Sequence, residues 1–189
     1  TGVWRPRKLN IKGETLGHVH YAIEYLRNPS AYRLGNRLGV IGAGNVAMDV
    51  ARTAFRNGCK EVYIIYKKDE ESVTAREIEK ECAKIDGAVM IYNKTAVEFV
   101  DEGVILADTE VIEKDNNKIA VPIPGTESLF PADSIIIAVG QGPRAVIVSS
   151  TTGIDVTNTG LLDVDEFGRT TREGDIRLGR CRNGSQNGG

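Results

Sequence analysis

Apolar positions along the chain change rhythm several times, and each change marks an element. Leu38–Ile41 is a short apolar run with the length and content of a buried strand. Directly after it, Val46, Ala47, Val50, Ala51, Ala54 and Phe55 recur at three- and four-residue steps, which makes one face of a helix. Gly58 is placed to stop that helix. "VYIIY" (62–66) is apolar throughout, as in a parallel sheet covered on both faces. A second helix is expected from near Thr74, because Thr74-x-x-Glu77 has capping-box spacing. Ile78, Cys82 and Ile85 would line its buried face, and Gly87 would end it. "AVMIY" (88–92) is a third strand. The order strand–helix–strand–helix–strand predicts right-handed parallel crossovers.

The flanks read differently. Residues 1–17 are extended and basic, with Pro6 and two glycines opposing helix. His20–Leu34 has a helical pattern through Tyr21, Tyr25 and Leu26, which Pro29 is expected to kink or end. From Ala96 to Val121 short strand-like segments follow one another without a helix, with a turn at Asn116–Asn117, predicting a small antiparallel insertion. "SIIIAVG" (134–140) returns to buried-strand character. "GIDV" and "LLDVDEFGRT" are further short segments, and the Gly-, Arg- and Asn-rich tail from Gly174 is expected to be disordered.

Composition narrows the class. The chain has 189 residues, 41% of them hydrophobic, enough for one domain with a core and pieces beyond it. A net charge of −2 gives no basic footprint for nucleic acid. No run approaches a membrane span. Cys59, Cys82 and Cys181 are too few and too far apart for a thiol-redox or zinc centre, and they point to a reducing cytoplasm.

The chemistry is concentrated in one turn. Gly42-Ala43-Gly44-Asn45-Val46-Ala47 fits G-x-G-x-x-A between a strand and a helix, the context that the dinucleotide fingerprint requires. Gly42 permits the tight turn, Gly44 lets backbone approach a pyrophosphate, and Ala47 lets the helix pack close to the sheet. Helix N–H groups and the helix dipole favour a diphosphate there. Glycines that merely end a strand are the plainer alternative. An NAD site usually carries an acid at the end of the second strand; here Tyr66-Lys67-Lys68 stands in its place. Two cations suit a 2′-phosphate, and Tyr66 offers a stacking face to adenine. A solvated basic strand end is the alternative, and Asp69, Glu70 and Glu71 follow at once.

At these residues the chain resembles a known family. "GAGNVAMDVARTAFRNGCKEVYIIYKK" is similar to the NADPH-binding domain of the glutamate synthase small (beta) subunit family, to which a domain of dihydropyrimidine dehydrogenase is related. "ADSIIIAVGQGP" (132–143), the stretch from "TGVWRPRKLNIKG" onward and "GLLDVDEFGRTTREG" resemble further family segments, so the likeness covers about residues 1–174. The resemblance implies a Rossmann-like three-layer α/β domain with a central parallel sheet and a small antiparallel insertion, flanked by remnants of an FAD-binding domain. It divides the chain into 1–19 (flavin-domain remnant and linker), 20–145 (NADP(H)-binding domain), 146–173 (flavin-domain remnant) and 174–189 (tail). It implies that NADPH reduces FAD in a parent flavoprotein oxidoreductase, for glutamate synthesis or a related reduction. A large subunit or iron–sulfur domain would be the partner. Gly42, Ala43, Gly44, Asn45 and Val46 match the pyrophosphate turn, Lys67 and Lys68 match the paired arginines for the 2′-phosphate, and Gly140 and Gln141 match the segment near nicotinamide and flavin. Lysine replaces arginine twice, and Glu70 stands where the family often has another arginine. The family's N-terminal glycine motif and C-terminal Gly-Asp segment for FAD do not match anything here, so the isolated chain is expected to be an inactive fragment that does not bind FAD.

Other groups carry less. No catalytic side chain and no metal site is expected, because hydride chemistry belongs to the cofactors. Tyr63-x-x-x-Lys67 has short-chain-dehydrogenase spacing but lies on a strand. His18 and His20 lack ligating partners at metal spacing. Asp49 and Arg52 are spaced to pair along the first helix. Trp4, Arg5 and Arg7 form an exposed basic strand. Two other classes stand beside the leading one: an NAD(H)-sensing regulatory domain without turnover, and an S-adenosylmethionine methyltransferase, which the lysine pair disfavours.

Overall fold

The computed structural model describes residues 5–114, 117–142, 153, 155, 163, 165, 167 and 169–171. Its elements run β1 Arg5–Pro6, β2 Val19–Tyr21, α1 Ala22–Arg27, a 3-10 turn Pro29–Ala31, β3 Arg37–Ile41, α2 Asn45–Arg56, β4 Glu61–Ile65, α3 Glu77–Ile85, β5 Val89–Ile91, β6 Lys94–Val100, β7 Gly103–Lys114, β8 Asn117–Pro122, β9 Ser128–Pro131, β10 Ser134–Ile137 and β11 Gln141–Gly142. Two compact units divide the chain: Pro6–Gly140, and Thr1–Arg5 together with Gln141–Gly189.

In the Pro6–Gly140 unit, a parallel sheet of order β2-β10-β3-β4-β5 is covered on both faces. The period-2 alternation of the strands sorts their side chains cleanly. Leu38, Val40, Val62, Ile64 and Ile136 face the helices, packing on Ala47, Met48, Val50, Ala51 and Ala54 of α2 and on Tyr25 of α1. Ile41, Ile65, Ile135 and Ile137 face the other way and pack on Phe99, Val104 and Leu106. Those three belong to the antiparallel insertion, in which β7 pairs with β6, β8 and β9. The continuous apolar strands are thus explained: neither face meets water. A Cβ at Gly39, in the middle of β3, would lie 2.8 Å from Ile135 Cδ1, so the isoleucine side chain would have to shift to admit it.

Four expectations are corrected. The predicted helix from His20 begins as strand β2, because residues 19–21 pair in parallel register with Ile135–Ile137; α1 is short and ends before Pro29. The predicted capping box at Thr74 does not form, and α3 starts at Glu77 with Arg76 as its N-cap and no side-chain cap. The Ile78–Ile85 stripe does not face the core: Ile78 is 65% and Ile85 80% exposed, while Lys80 and Ala83 turn inward. Small Ala83 allows close approach to the helical layer, and the Lys80 ammonium reaches Glu77 at 2.5 Å while its stem is covered. Arg52 does not pair with Asp49; its guanidinium bonds Asp86 at 2.9 Å and lies 3.9 Å from Glu79, tying α2 to α3.

Gly58, at φ +98, and Gly87, at φ +105, follow α2 and α3 as expected of helix stops. A buried carboxylate orders the entry segment. Glu14 accepts the Leu9 N–H at 2.8 Å, the Asn10 N–H at 2.7 Å and the Tyr21 hydroxyl at 3.0 Å. Burial and that carboxylate push the Tyr21 phenol up to about 12. His20 meets the Tyr32 ring edge-on at 5.0 Å, and Tyr63 donates to Glu61 at 3.0 Å. In the other unit, Asp165 accepts the backbone N–H groups of Phe167 and Arg169 and the Arg169 guanidinium, closing the "DEFGR" turn. Trp4, Asn116 and the tail from residue 172 lie outside the described residues, as do half the positions of "GIDV" and of "LLDVDEFGRT".

An exposed position on α3 and a buried one on β10 make opposite predictions. Ile85→Ser should change stability by no more than about 0.5 kcal/mol, as exposed substitutions do. Ile136→Ala should cost about 2–5 kcal/mol, as buried Ile truncations do. Urea unfolding of both variants measures the contrast, and a large loss for Ile85→Ser would mean that α3 packs the other way round.

Candidate nucleotide-binding site

Parallel pairing aligns the strand ends. Ile41 is opposite Ile65 and Ile137, and Ile65 is opposite Ile91. The segments that follow them therefore emerge along one edge: Gly42–Asn45 after β3, Tyr66–Lys68 after β4, and Ala138–Gly140 after β10. The chain leaves β3 toward β4 and β5 on one side, with β10 on the other, so the turn at Gly42 lies at the switch point where open α/β sheets hold ligands.

Gly42 is fixed by three close relations. Its N–H donates to Ile65 O at 2.9 Å, its φ is +115, and a Cβ there would stand 2.6 Å from Ala138 O. Gly44 is the N-cap of α2 at φ −88, and no side chain caps the helix. A Cβ on Gly44 would meet only Thr74 Oγ1, at 3.7 Å. The sheet therefore needs Gly42, whereas nothing in the fold itself needs Gly44. The uncapped start of α2 and the open approach over Gly44 are what an incoming diphosphate requires. The residues present fit a dinucleotide's pyrophosphate.

Asn45 does not cap its own helix. Its Oδ1 accepts the Arg76 N–H at 2.9 Å, while Ala75 N–H donates to Ala43 O at 3.3 Å. Val73–Arg76 thus lies along the glycine turn. Val46 is half-buried against the helix-side core.

Tyr66 packs partly on the same core, and its hydroxyl donates to Ser72 O at 2.8 Å; burial raises its phenol. Lys67 is exposed and Lys68 half-buried. Their backbone carbonyls accept from the Thr109 hydroxyl at 2.8 Å and the Asn93 N–H at 3.1 Å, tying the strand end to the start of the insertion. Among the described residues no ion pair engages Lys67, Lys68 or Arg76.

Two of the three neighbouring acids are occupied, and exposed Glu71 is the third. Asp69 accepts the Ser72 N–H at 2.9 Å. Glu70 accepts from Lys84 at 3.0 Å and from the Tyr92 hydroxyl at 3.1 Å, which hold its carboxyl below the usual range. Gly140 is exposed at φ +105, and its carbonyl accepts the Arg7 N–H at 3.1 Å. Gln141 opens β11 in the other compact unit, and its side chain lies outside the described residues. Sequence reasoning missed the 73–76 loop; its signal was Arg76, the cation directly before Glu77, the acid of the expected capping box.

A parallel sheet with a glycine turn at its switch point defines a dinucleotide-type fold, and comparison with known proteins supplies the family. The profile of the pyridine nucleotide-disulphide oxidoreductases matches residues 1–181, and the chain belongs to that family. It is 30% identical to the glutamate synthase [NADPH] small chain of Halomonas elongata, over 91% of this chain and 41% of that one. It is also 30% identical to the NADP(+)-dependent formate dehydrogenase subunit beta of Moorella thermoacetica, over 95% of this chain and 28% of that one. The chain thus spans less than half the length of these relatives. Among solved structures, T. acidophilum thioredoxin reductase superposes with a TM-score of 0.75 at 22% identity, covering 98% of this chain and 57% of that one. Mycobacterium tuberculosis FprA in complex with NADPH gives 0.72 at 18% identity, covering 93% and 55%. These last two show the shared fold. Among the described residues, no helix is long and apolar enough to cross a membrane.

The two glycines should separate in a stability assay. Gly42→Ala forces a Cβ against Ala138 O in a left-handed conformation and should lower stability by at least about 1–3 kcal/mol. Gly44→Ala should fold with a thermal midpoint close to that of the unaltered chain. A Gly44→Ala loss as large as that of Gly42→Ala would refute the geometry of the turn.

Proposed function

We propose that the Pro6–Gly140 unit binds NADP(H) and serves a flavin-dependent oxidoreductase of the glutamate synthase small-subunit type. The observation that carries this reading is the open, uncapped glycine turn at the switch point, with two lysines at the end of the neighbouring strand that no ion pair engages among the described residues. In the proposal, Gly42 holds the turn against Ala138. Gly44 leaves room for the diphosphate, and the first N–H groups of α2, from Asn45 and Val46, receive it with Ala43 in the turn. Tyr66 flanks the adenine. Lys67 and Lys68 take the 2′-phosphate, and Gly140 and Gln141 border the nicotinamide end. The bound cofactor supplies the hydride; the chain supplies position and charge.

Family membership, and NADPH or NADP(+) in the names of both relatives, support the cofactor. The likeness to glutamate synthase small chains supports FAD as the hydride acceptor in the parent enzyme. It also supports glutamate synthesis or a related reduction as the use, with a partner subunit or domain. The commitment of Asp69 and Glu70 to other bonds favours NADPH over NADH, since it leaves the lysine charges uncancelled.

Calorimetry tests the reading. The chain should bind NADPH at least about tenfold more tightly than NADH, because one charge-assisted contact is worth about 1.5–3 kcal/mol. Replacing Lys67 and Lys68 together by alanine should remove that preference and leave NADH affinity unchanged. Gly44→Val should fold, by circular dichroism, and bind neither dinucleotide. Equal affinities for NADPH and NADH in the unaltered chain would sink the NADP assignment, and a folded Gly44→Val that binds normally would sink the site.

A further inference from the structure

Resting on the dinucleotide reading of the glycine turn, we infer that Arg76 binds the dinucleotide's diphosphate and that Asn45 is the residue that positions it. A cationic residue at the start of two helices is an electrostatic conflict. Arg76 is the N-cap of α3, and its backbone N–H is held by Asn45, the first residue of α2. The exposed residue therefore has its backbone at the start of α3 and beside the start of α2, the positive ends of two helices, where an anion is favoured.

The acids that could resolve the conflict are engaged. Glu77 holds Lys80, and Glu79 faces Arg52. Asp69 and Glu70 are turned to Ser72 and to Lys84 and Tyr92. Asp49 has its carboxyl raised by burial and by Glu79, with Arg52 opposing. No acid among the described residues pairs with Arg76.

The placement is built. Two backbone hydrogen bonds hold the loop to the turn: Ala75 N–H to Ala43 O, and Arg76 N–H to Asn45 Oδ1. Thr74 Oγ1 lies 3.7 Å from the position a Gly44 Cβ would take, so the loop forms a wall of the same space. A doubly charged diphosphate over Gly44 would satisfy both helix ends and the guanidinium together, and Arg76 offers it a planar fork. Lys67 and Lys68 belong to the strand end and serve the 2′-phosphate. The two groups of cations thus divide the work: Arg76 holds what NADPH and NADH share, and the lysines hold what distinguishes them.

The experiment titrates NADPH, NADH and adenosine 2′-monophosphate, which lacks the diphosphate, against the chain and its Arg76→Ala, Arg76→Lys and Asn45→Ala variants. Circular dichroism and thermal melts monitor folding. Arg76→Ala should weaken NADPH and NADH by the same factor, about threefold to tenfold for an exposed charge-assisted contact, and leave adenosine 2′-monophosphate unchanged. Arg76→Lys should restore part of the loss. Asn45→Ala should weaken both dinucleotides less, and adding Arg76→Ala to it should cost less than Arg76→Ala alone. A loss confined to NADPH and adenosine 2′-monophosphate would assign Arg76 to the 2′-phosphate and overturn the inference, as would no loss at all. Failure of the unaltered chain to bind either dinucleotide would instead overturn the dinucleotide reading, and that is visible before any substitution.

Discussion

Everything at the candidate site hangs on the contact between Gly42 and Ala138. Strands β3 and β10 lie side by side in parallel register, so the two chains leave the sheet together, and the turn after β3 has to pass a carbonyl with no room for a side chain. The positive φ at Gly42 turns the backbone at once, and the hydrogen bond to Ile65 O anchors it to the far neighbour β4. That single constraint aims the start of α2 at the crevice. Were Gly42 displaced, Gly44 and the first N–H groups of α2 would move with it, because Ala47 and Met48, both of them buried, fix the helix to the sheet one turn later.

The two-sided covering of the sheet follows from the same arrangement. Helices occupy one face because the β3–α2–β4–α3–β5 crossovers are right-handed and place both helices together. The other face would be left to water, and its isoleucines are instead covered by the antiparallel insertion. The insertion also reaches the site: Thr109 and Asn93 bond the carbonyls of Lys67 and Lys68. A segment that reads as a decoration in the sequence thus braces the end of β4, which carries the lysine pair.

The legible parts of the sequence were those where one force dominates. The strands read correctly because burial on both faces leaves only apolar residues, and α2 read correctly because one broad face packs on the sheet. The tight turn at Gly42 read correctly because its steric demands select glycine locally. Misreadings came where two forces compete. Residues 19–21 have a helical pattern, but backbone pairing with β10 outweighs it. In α3 the isoleucines suggested the core face. Ala83 and the Arg52 bridges to Asp86 and Glu79 set the rotation instead, leaving Ile78 and Ile85 exposed. Thr74 looked like a cap because spacing alone cannot show that Arg76 N–H is already taken by Asn45, thirty-one positions earlier. Long-range partners of this kind leave no periodic trace.

Charge near the site shows the same dependence on partners that are distant in sequence. Lys67-Lys68-Asp69-Glu70-Glu71 looks self-cancelling as a string. In the fold the signs are sorted: Asp69 closes its own turn, and Glu70 is drawn to Lys84 on α3 and Tyr92 beyond β5. Among the described residues neither lysine is in an ion pair. Lysine in place of arginine gives up the planar fork at the strand end, so the 2′-phosphate would meet two mobile point charges rather than a fixed bidentate clamp. Discrimination there would rest on charge more than on geometry, and would weaken with salt as exposed charge interactions do. The proposed diphosphate region would rest on the opposite principle. Its donors would be backbone groups fixed by the sheet, with the backbone of Arg76 on a loop hydrogen-bonded to the turn.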